Sequence, residues 1–293
     1  NKYNILMAFT IKNIIFAPLY FYKCDIKIAN YEGLGRVFSS RLISDRIIRR
    51  IVEKIYYLLH KFFYDYCIVL NSLDYIHFLN KSICNPSKIS IIPGTGILKE
   101  KYKFNPKYLI NLKEQYVTMI SRFNTQKGIN TFIALVYLSK TIFKNFVDNS
   151  LKFRIVMPKD DALRLKEHIQ NNEIIKNNLL ITDYKLDVNQ IYNEAICIVH
   201  PTMYGEGLPR VYLEAAACGV PVITTENCGS VVDHNKDGLI IPIRDPIAIA
   251  DAILKIVENR NLREKMSRAA KKKASQHTWY QYSESLSTFC KTI

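Results

Sequence analysis

Two glutamates, Glu206 and Glu214, lie eight positions apart in the segment Pro201-Thr-Met-Tyr-Gly205-Glu206-Gly207-Leu208-Pro209-Arg210-Val-Tyr-Leu-Glu214-Ala-Ala-Ala-Cys-Gly219-Val-Pro221. Ala195-Ile-Cys-Ile-Val-His200 just upstream is an apolar run that predicts a buried parallel strand. Gly205, Gly207 and Pro209 then turn the chain into a helix ending near Gly219, with Pro209 in its first turn. The free amides and positive dipole end of that helix point back at the Gly205–Leu208 loop, where an anion such as a diphosphate is stabilised. The two carboxylates fall on the order of 10 Å apart at 1.5 Å per helical residue, too far for a shared proton or one metal. That spacing suits hydroxyl-bearing groups at opposite ends of one ligand.

The elements around this junction repeat in order. From Tyr116 onward, strands at Val117–Ile120, Phe153–Met157, Leu179–Thr182 and Ile196–Val199 alternate with helices at Asn130–Lys144, Asp160–Gln170 and Val188–Glu194. The helix before Gly219, strands at Pro221–Thr225 and Leu239–Pro242, and a helix at Pro246–Glu258 follow. Such alternation implies a parallel doubly wound sheet that binds ligands at the carboxyl ends of its strands. The loops Arg122–Lys127 and Gly205–Leu208 both follow strand ends. Before residue 107, strand-like runs at Asn4–Phe9, Cys24–Ala29, Tyr66–Leu70 and Ile89–Ile92 alternate with helical ones.

The Glu206-x7-Glu214 spacing with Gly-Leu-Pro-Arg between resembles the signature of the retaining glycosyltransferases of family 4, which have the GT-B fold. Ser121-Arg122-Phe-Asn-Thr-Gln-Lys127-Gly128 after Tyr116–Ile120 is similar to their cationic loop. Phe9-Thr10-Ile-Lys12-Asn13 and Glu32-Gly33-Leu-Gly35-Arg-Val-Phe38 resemble members that build bacterial surface polysaccharides and lipid-linked oligosaccharides. Ile91-Ile-Pro93-Gly94-Thr-Gly96-Ile97 resembles the segment leading into their interdomain linker.

The resemblance implies an α/β chain of two Rossmann-like doubly wound domains facing a cleft. Residues 1–107 would be an N-terminal acceptor-side domain rejoined by a C-terminal helix at 280–293, and residues 108–279 the nucleotide-sugar domain. Against that pattern the first domain starts partway through, so the chain is expected to be N-terminally incomplete. Glu206 would bond donor hexose hydroxyls and Glu214 the ribose, while Arg122 and Lys127 meet the diphosphate. Gly205, Gly207, Leu208, Pro209 and Arg210 would line the nucleotide site, although Arg210 equally suits a salt bridge on the helix surface. Glu32 stands where many relatives carry a histidine; it could orient the acceptor hydroxyl, accept its proton or cap the loop. His200 reads as a packed or loop-bonded histidine, and Thr10 and Lys12 as possible cleft residues.

Leaving-group charge in nucleotide-diphosphate chemistry is met either by a metal on an Asp-x-Asp pair or by fixed cations and a helix N-terminus. No Asp-x-Asp triplet occurs in the chain. Asp160-Asp161 are expected to cap a helix. The resemblance implies retaining transfer of a hexose or N-acetylhexosamine to a polyprenyl-diphosphate-linked or other glycan acceptor, and the lack of an Asp-x-Asp triplet agrees with a reaction without metal or other cofactor. A UDP-sugar donor is implied, with GDP left open. A UDP-sugar 2-epimerase of the same fold, or an inactive or truncated homologue acting as a binding partner, are the alternatives.

A formal net charge of +15 calls for acidic partners. Among these the resemblance favours a nucleotide diphosphate and an anionic membrane surface over nucleic acid. Seven cysteines without a Cys-x-x-Cys pair read as reduced thiols of a cytoplasmic protein, and the resemblance implies a peripheral place on the inner membrane face. The segment Leu42–Tyr64 predicts a long amphipathic helix, with Ile43, Ile47, Ile51, Ile55, Leu59 and Phe62 as its apolar stripe. From Arg41 to Lys61, six cations against Asp45 and Glu53 leave a surplus of four. The expectation is that the stripe packs inward and the basic face is solvated or meets anionic lipid. Lys271-Lys272-Lys273 reads as a solvated run.

Overall fold

The computed structural model describes residues 4–40, 42–94, 96–98, 100–106, 115–143, 151–184, 187–203, 205–228 and 231–293. Two parallel sheets organise them. β1 (Ile5–Phe9), β2 (Ile26–Tyr31), β3 (Tyr66–Val69) and β4 (Ile89–Ile91) form the first, in that order. β5 (Gln115–Ile120), β6 (Leu151–Met157), β7 (Leu179–Asp183), β8 (Ala195–His200), β9 (Val222–Thr225) and β10 (Gly238–Ile241) form the second. Its order is β10-β9-β8-β5-β6-β7, so the winding direction reverses between β5 and β8. In doubly wound sheets the crevice at that reversal is where ligands bind. The Arg122–Lys127 and Gly205–Leu208 loops leave β5 and β8, so this topology brings them side by side.

The apolar runs form strands because both faces of the second sheet are covered, and all six residues of β8 are buried. On one face Val117, Met119, Phe153 and Ile155 pack against Phe132, Leu165 and Ile253. On the other, Ile198 and Val222 pack with Tyr192, Tyr212 and Leu213. The first sheet packs Tyr31, Cys67 and Val69 against Tyr56 and Phe78.

Its opposite face carries Ile28, Ile68 and Ile92, covered by Tyr282, Leu286, Phe289 and Ile293 of the helix Trp279–Thr292. Thr278 starts that helix through a reciprocal capping box with Gln281. There the chain crosses between the sheets beside Ile97, whose amide donates to His277 O at 3.0 Å. A Cβ on Gly96 would overlap the Thr278 backbone, so only glycine allows this close crossing.

Three features differ from the sequence expectations. The helix Ile43–Phe62 turns much of its apolar stripe outward: Ile43 is 76% exposed, Ile51 56% and Phe62 74%. Its inward side instead carries buried Tyr56 and Asp45, with Arg49 bonding Val37 O and Ser40 O, and Glu53 Oε1 lying 3.0 Å from His77 Nε2. These polar anchors hold the helix by its charged edge, which a count of periodicity cannot reveal. Asp160 and Asp161 lie in the first turn of the helix Lys159–His168, whose N-cap is Pro158. Asp161 Oδ2 accepts from Phe123 N at 2.9 Å, bracing the loop that carries Arg122. Finally, Lys273 is no solvated residue: it ion-pairs with Asp237 and with Asp233, and donates to Val231 O.

Candidate active site

Glu206 sits at the reversal crevice between Lys127 and His200. Lys127 Nζ is 2.9 Å from its Oε2, and His200 Nε2 is 2.8 Å from its Oε1. Lys127 arrives from the turn after β5 and His200 from the end of β8, so the strand order creates the cluster. A carboxylate only accepts, which puts the His200 proton on Nε2. Burial opposes ionisation of Glu206, but His200 and then Lys127 outweigh it and hold its carboxyl below the usual range. His200, expected to be packed or loop-bonded, is both: it is buried, and its Nε2 bonds Glu206 of the loop.

The loop between them is held by backbone contacts. Met203 N donates to Gln126 O at 2.8 Å, and Glu206 N to Asn227 O at 3.0 Å. Gly128 has φ +82, and a Cβ there would collide with the Pro201 carbonyl. Arg122 is exposed beside Tyr184.

The helix behind the loop is Arg210–Ala217, with Pro209 as its N-cap rather than inside its first turn. Glu214, one turn in, accepts from Tyr192 Oη at 2.7 Å and from Arg210 Nη2 at 3.3 Å. The Tyr102 hydroxyl also bonds Glu214. Burial first, and then the Glu214 charge, raise both tyrosines above their ordinary range. Tyr102 and Tyr192 carry no sequence signature as site residues. Arg210 is an exposed partner of Glu214.

The first sheet closes over the same loop. Gly35 N donates to Gly205 O at 3.1 Å, Gly205 N to Ser39 Oγ at 3.2 Å, and the buried Asn71 gives its Nδ2 to Gly207 O at 3.1 Å. Gly33 has φ +130, and a Cβ there would stand 2.7 Å from Gly207 N. A Cβ on Gly207 would stand 2.5 Å from Glu32 O. Glu32 therefore approaches the loop through its backbone while its side chain is exposed. Thr10 ends β1 at φ 66, unusual for a β-branched residue and a mark of local strain.

Between the sheets lies a cavity of about 180 Å³ that Leu34, Phe38, Asp74, His77, Glu206 and Glu226 help to line. Burial raises the Asp74 carboxyl to about 6, against the opposing hydrogen bond from Asn71. The site therefore offers a neutralised lysine, a histidine-held carboxylate, a second carboxylate held by tyrosines, and a cavity between the two sheets beside the first carboxylate.

Two parallel sheets, the second with a winding reversal flanked by the Arg122–Lys127 and Gly205–Leu208 loops, define a two-sheet α/β protein. Residues 100–273 match the family of glycosyl transferases group 1, and the chain belongs to it. It is 24% identical over 270 residues to N,N'-diacetylbacillosaminyl-diphospho-undecaprenol alpha-1,3-N-acetylgalactosaminyltransferase of Campylobacter jejuni, covering 87% of this chain and 67% of that protein. It is 28% identical over 232 residues to the capsular polysaccharide biosynthesis glycosyltransferase CapM of Staphylococcus aureus, covering 73% of this chain and 59% of the relative. The chain thus spans about three fifths to two thirds of these relatives. Among solved structures, HepE of Anabaena in complex with UDP superposes with TM-score 0.80 at 16% identity, covering 99% of this chain and 79% of that one. Sucrose-phosphate synthase of Thermosynechococcus elongatus gives TM-score 0.80 at 18% identity, covering 99% and 73%. The fold is GT-B.

Proposed function

We propose that the chain catalyses retaining, metal-independent transfer of a hexose or N-acetylhexosamine from a UDP-sugar to a polyprenyl-diphosphate-linked glycan during bacterial polysaccharide or glycoconjugate synthesis. The observation that carries this reading is Glu206 shared between Lys127 and His200 beside the glycine backbone of the opposing sheet. In the free protein Lys127 is neutralised by Glu206. A bound donor takes both: its diphosphate draws Lys127, and its sugar hydroxyls donate to the freed carboxylate. Arg122 and the amides of Gly207, Leu208 and Arg210 add positive potential where charge develops on the leaving diphosphate. His200 keeps Glu206 ionised and oriented through this exchange. Glu214, fixed by Tyr102 and Tyr192, accepts from the ribose.

The choice of UDP is supported by the UDP-bound HepE neighbour, and the lipid-linked acceptor by the diphospho-undecaprenol substrate in the Campylobacter relative's name. Membrane association is supported by the outward apolar stripe of the helix Ile43–Phe62 with Arg46, Arg50 and Lys54 exposed along it. Exposed Leu19, Tyr20 and Tyr22 lie on the same half, where Tyr64 donates to Ile14 O at 2.8 Å. Apolar side chains flanked by cations fit an anionic bilayer surface. Among the described residues no helix is long and apolar enough to cross a membrane. The proposed location is peripheral, on the cytoplasmic face.

The test is transfer of labelled glucose, N-acetylglucosamine or N-acetylgalactosamine from the UDP-sugar to undecaprenyl-diphosphate-linked N-acetylglucosamine in EDTA, with the new anomeric centre read by NMR. An α-linked product is expected. A β-linked product would contradict retention, and a strict need for divalent metal would contradict the fixed-cation mechanism.

A further inference from the structure

Next to the Glu206 cavity lies a second space of about 160 Å³ between the sheets, lined by Arg36, Ser39 and Leu42 from one half and Gln126, Met203 and Arg244 from the other. We propose that this space binds the diphosphate of the lipid-linked acceptor, with Arg36 and Arg244 closing on it from opposite halves. This inference rests on the lipid-linked acceptor of the proposed function and assigns that acceptor a binding site.

Three observations converge on the assignment. First, the two guanidiniums are incompletely neutralised. Arg36 is half-exposed and its ion pair with Asp45 is long, 3.7 Å. Arg244 is exposed, and its Nε donates to the Met203 sulfur at 3.0 Å. The neighbouring carboxylate of Asp245 is committed to Ala248 N at 2.9 Å as a helix cap. Paired planar forks suit phosphate oxygens better than single point charges do. Second, Ser39 lines both this space and the cavity that contains Glu206 and Asp74. A group bound between the arginines therefore adjoins the site where a sugar hydroxyl would react. Third, Leu42 lines the space and leads directly into Ile43, Ile47 and Ile51, all exposed. Hydroxyl-binding carboxylates, cations and an apolar surface thus follow one another in the order sugar, diphosphate, prenyl chain.

The chemistry recognised is a diphosphate, which a free anion could also supply, so the experiment separates the two sources. The whole chain, saturated with UDP to occupy the donor site, is titrated calorimetrically with farnesyl diphosphate and with inorganic pyrophosphate. Farnesyl diphosphate should bind, with pyrophosphate weaker by about ten-fold because it lacks the apolar contact. Arg36→Ala/Arg244→Ala should weaken farnesyl diphosphate by about a hundred-fold, taking each charged contact as about ten-fold, and leave UDP affinity unchanged. Arg244→Ala alone, which leaves the buried Asp45 with its partner, should weaken it by about ten-fold. Equal farnesyl diphosphate affinity in wild type and variants, or pyrophosphate binding as tightly as farnesyl diphosphate, would overturn the assignment. Failure of UDP to bind while the arginine dependence persists would instead contradict the donor-site reading and leave this anion site standing.

Discussion

The carboxylate of Glu206 bridges Lys127 and His200, with oxygens 2.9 and 2.8 Å from their nitrogens. The lysine is thus stored against the carboxylate, and the two substitutions should part company. Lys127→Ala should weaken UDP binding about ten-fold and cut transfer by about a hundred- to a thousand-fold, through loss of charge at the leaving group. Glu206→Gln should bind UDP at least as tightly, because Lys127 is released, yet transfer about a hundred-fold more slowly because the sugar is misplaced. Calorimetry and single-turnover rates on both variants check this. Parallel losses of UDP affinity would contradict the exchange of partners.

Glycine substitutions should rank by what stands opposite them. Gly207→Ala puts a methyl 2.5 Å from the Glu32 carbonyl, so backbone must move and the two halves must separate. The expected cost is about 1–3 kcal/mol with a near-complete loss of transfer. Gly35 has φ +75 but nothing within 4 Å of its added Cβ. Gly35→Ala should therefore cost only the strain of its extended positive-φ backbone, φ 75 and ψ −164, about 1–3 kcal/mol, and retain activity. Denaturant unfolding with activity assays on both variants reads the difference, and equal activities would refute the close backbone approach.

Asp74 supplies a pH signature. Burial lifts its carboxyl from 3.8 to about 6 in the folded chain. A carboxyl raised by folding favours the native state when protonated, so its contribution is full below the unfolded value and is lost as pH rises through about 6. Asp74→Asn, which keeps a polar group of the same shape, should flatten the stability profile between pH 4 and 6. Urea unfolding across that range measures the slope, and an unchanged slope would remove Asp74 as its source.

The outward stripe of the helix Ile43–Phe62 predicts binding to phosphatidylglycerol vesicles. Ile47→Asn/Ile51→Asn should reduce that binding by at least about ten-fold, since each buried aliphatic side chain contributes roughly 1.5–3 kcal/mol. Folding should be unaffected because both residues are exposed. Flotation with anionic and with neutral phosphatidylcholine vesicles checks the prediction, and unaltered binding would exclude this face as the docking surface.

Much of the second sheet was legible in the sequence because each strand is a short apolar run ended by a turn and followed by a helix. The expected helix Pro246–Glu258 matches the observed bounds. That the loops of Lys127 and Glu206 follow strand ends came from the same alternation; that the two strands are neighbours is seen only in the sheet order. What the sequence could not supply was direction. Periodicity located the stripe of the long helix, but buried Asp45, Tyr56 and the Arg49 anchor decide which side faces the protein. Likewise Asp161 looked like a cap until the fold brought Phe123 N to it, and the sequence could not name Glu206 as the loop partner of His200. Asn71, which caps the helix Ser72–Asn80 and ties it to Gly207 O, depends on a contact between residues far apart in sequence.

The most direct measurement is calorimetric titration of the protein with UDP, GDP and ADP in EDTA, repeated on Lys127→Ala and Glu214→Ala. The account predicts that UDP binds most tightly and that each substitution weakens it by about ten-fold, one through the diphosphate and the other through the ribose. Equal binding of the three nucleotides, or UDP affinity unaltered by both substitutions, would contradict the proposed donor site.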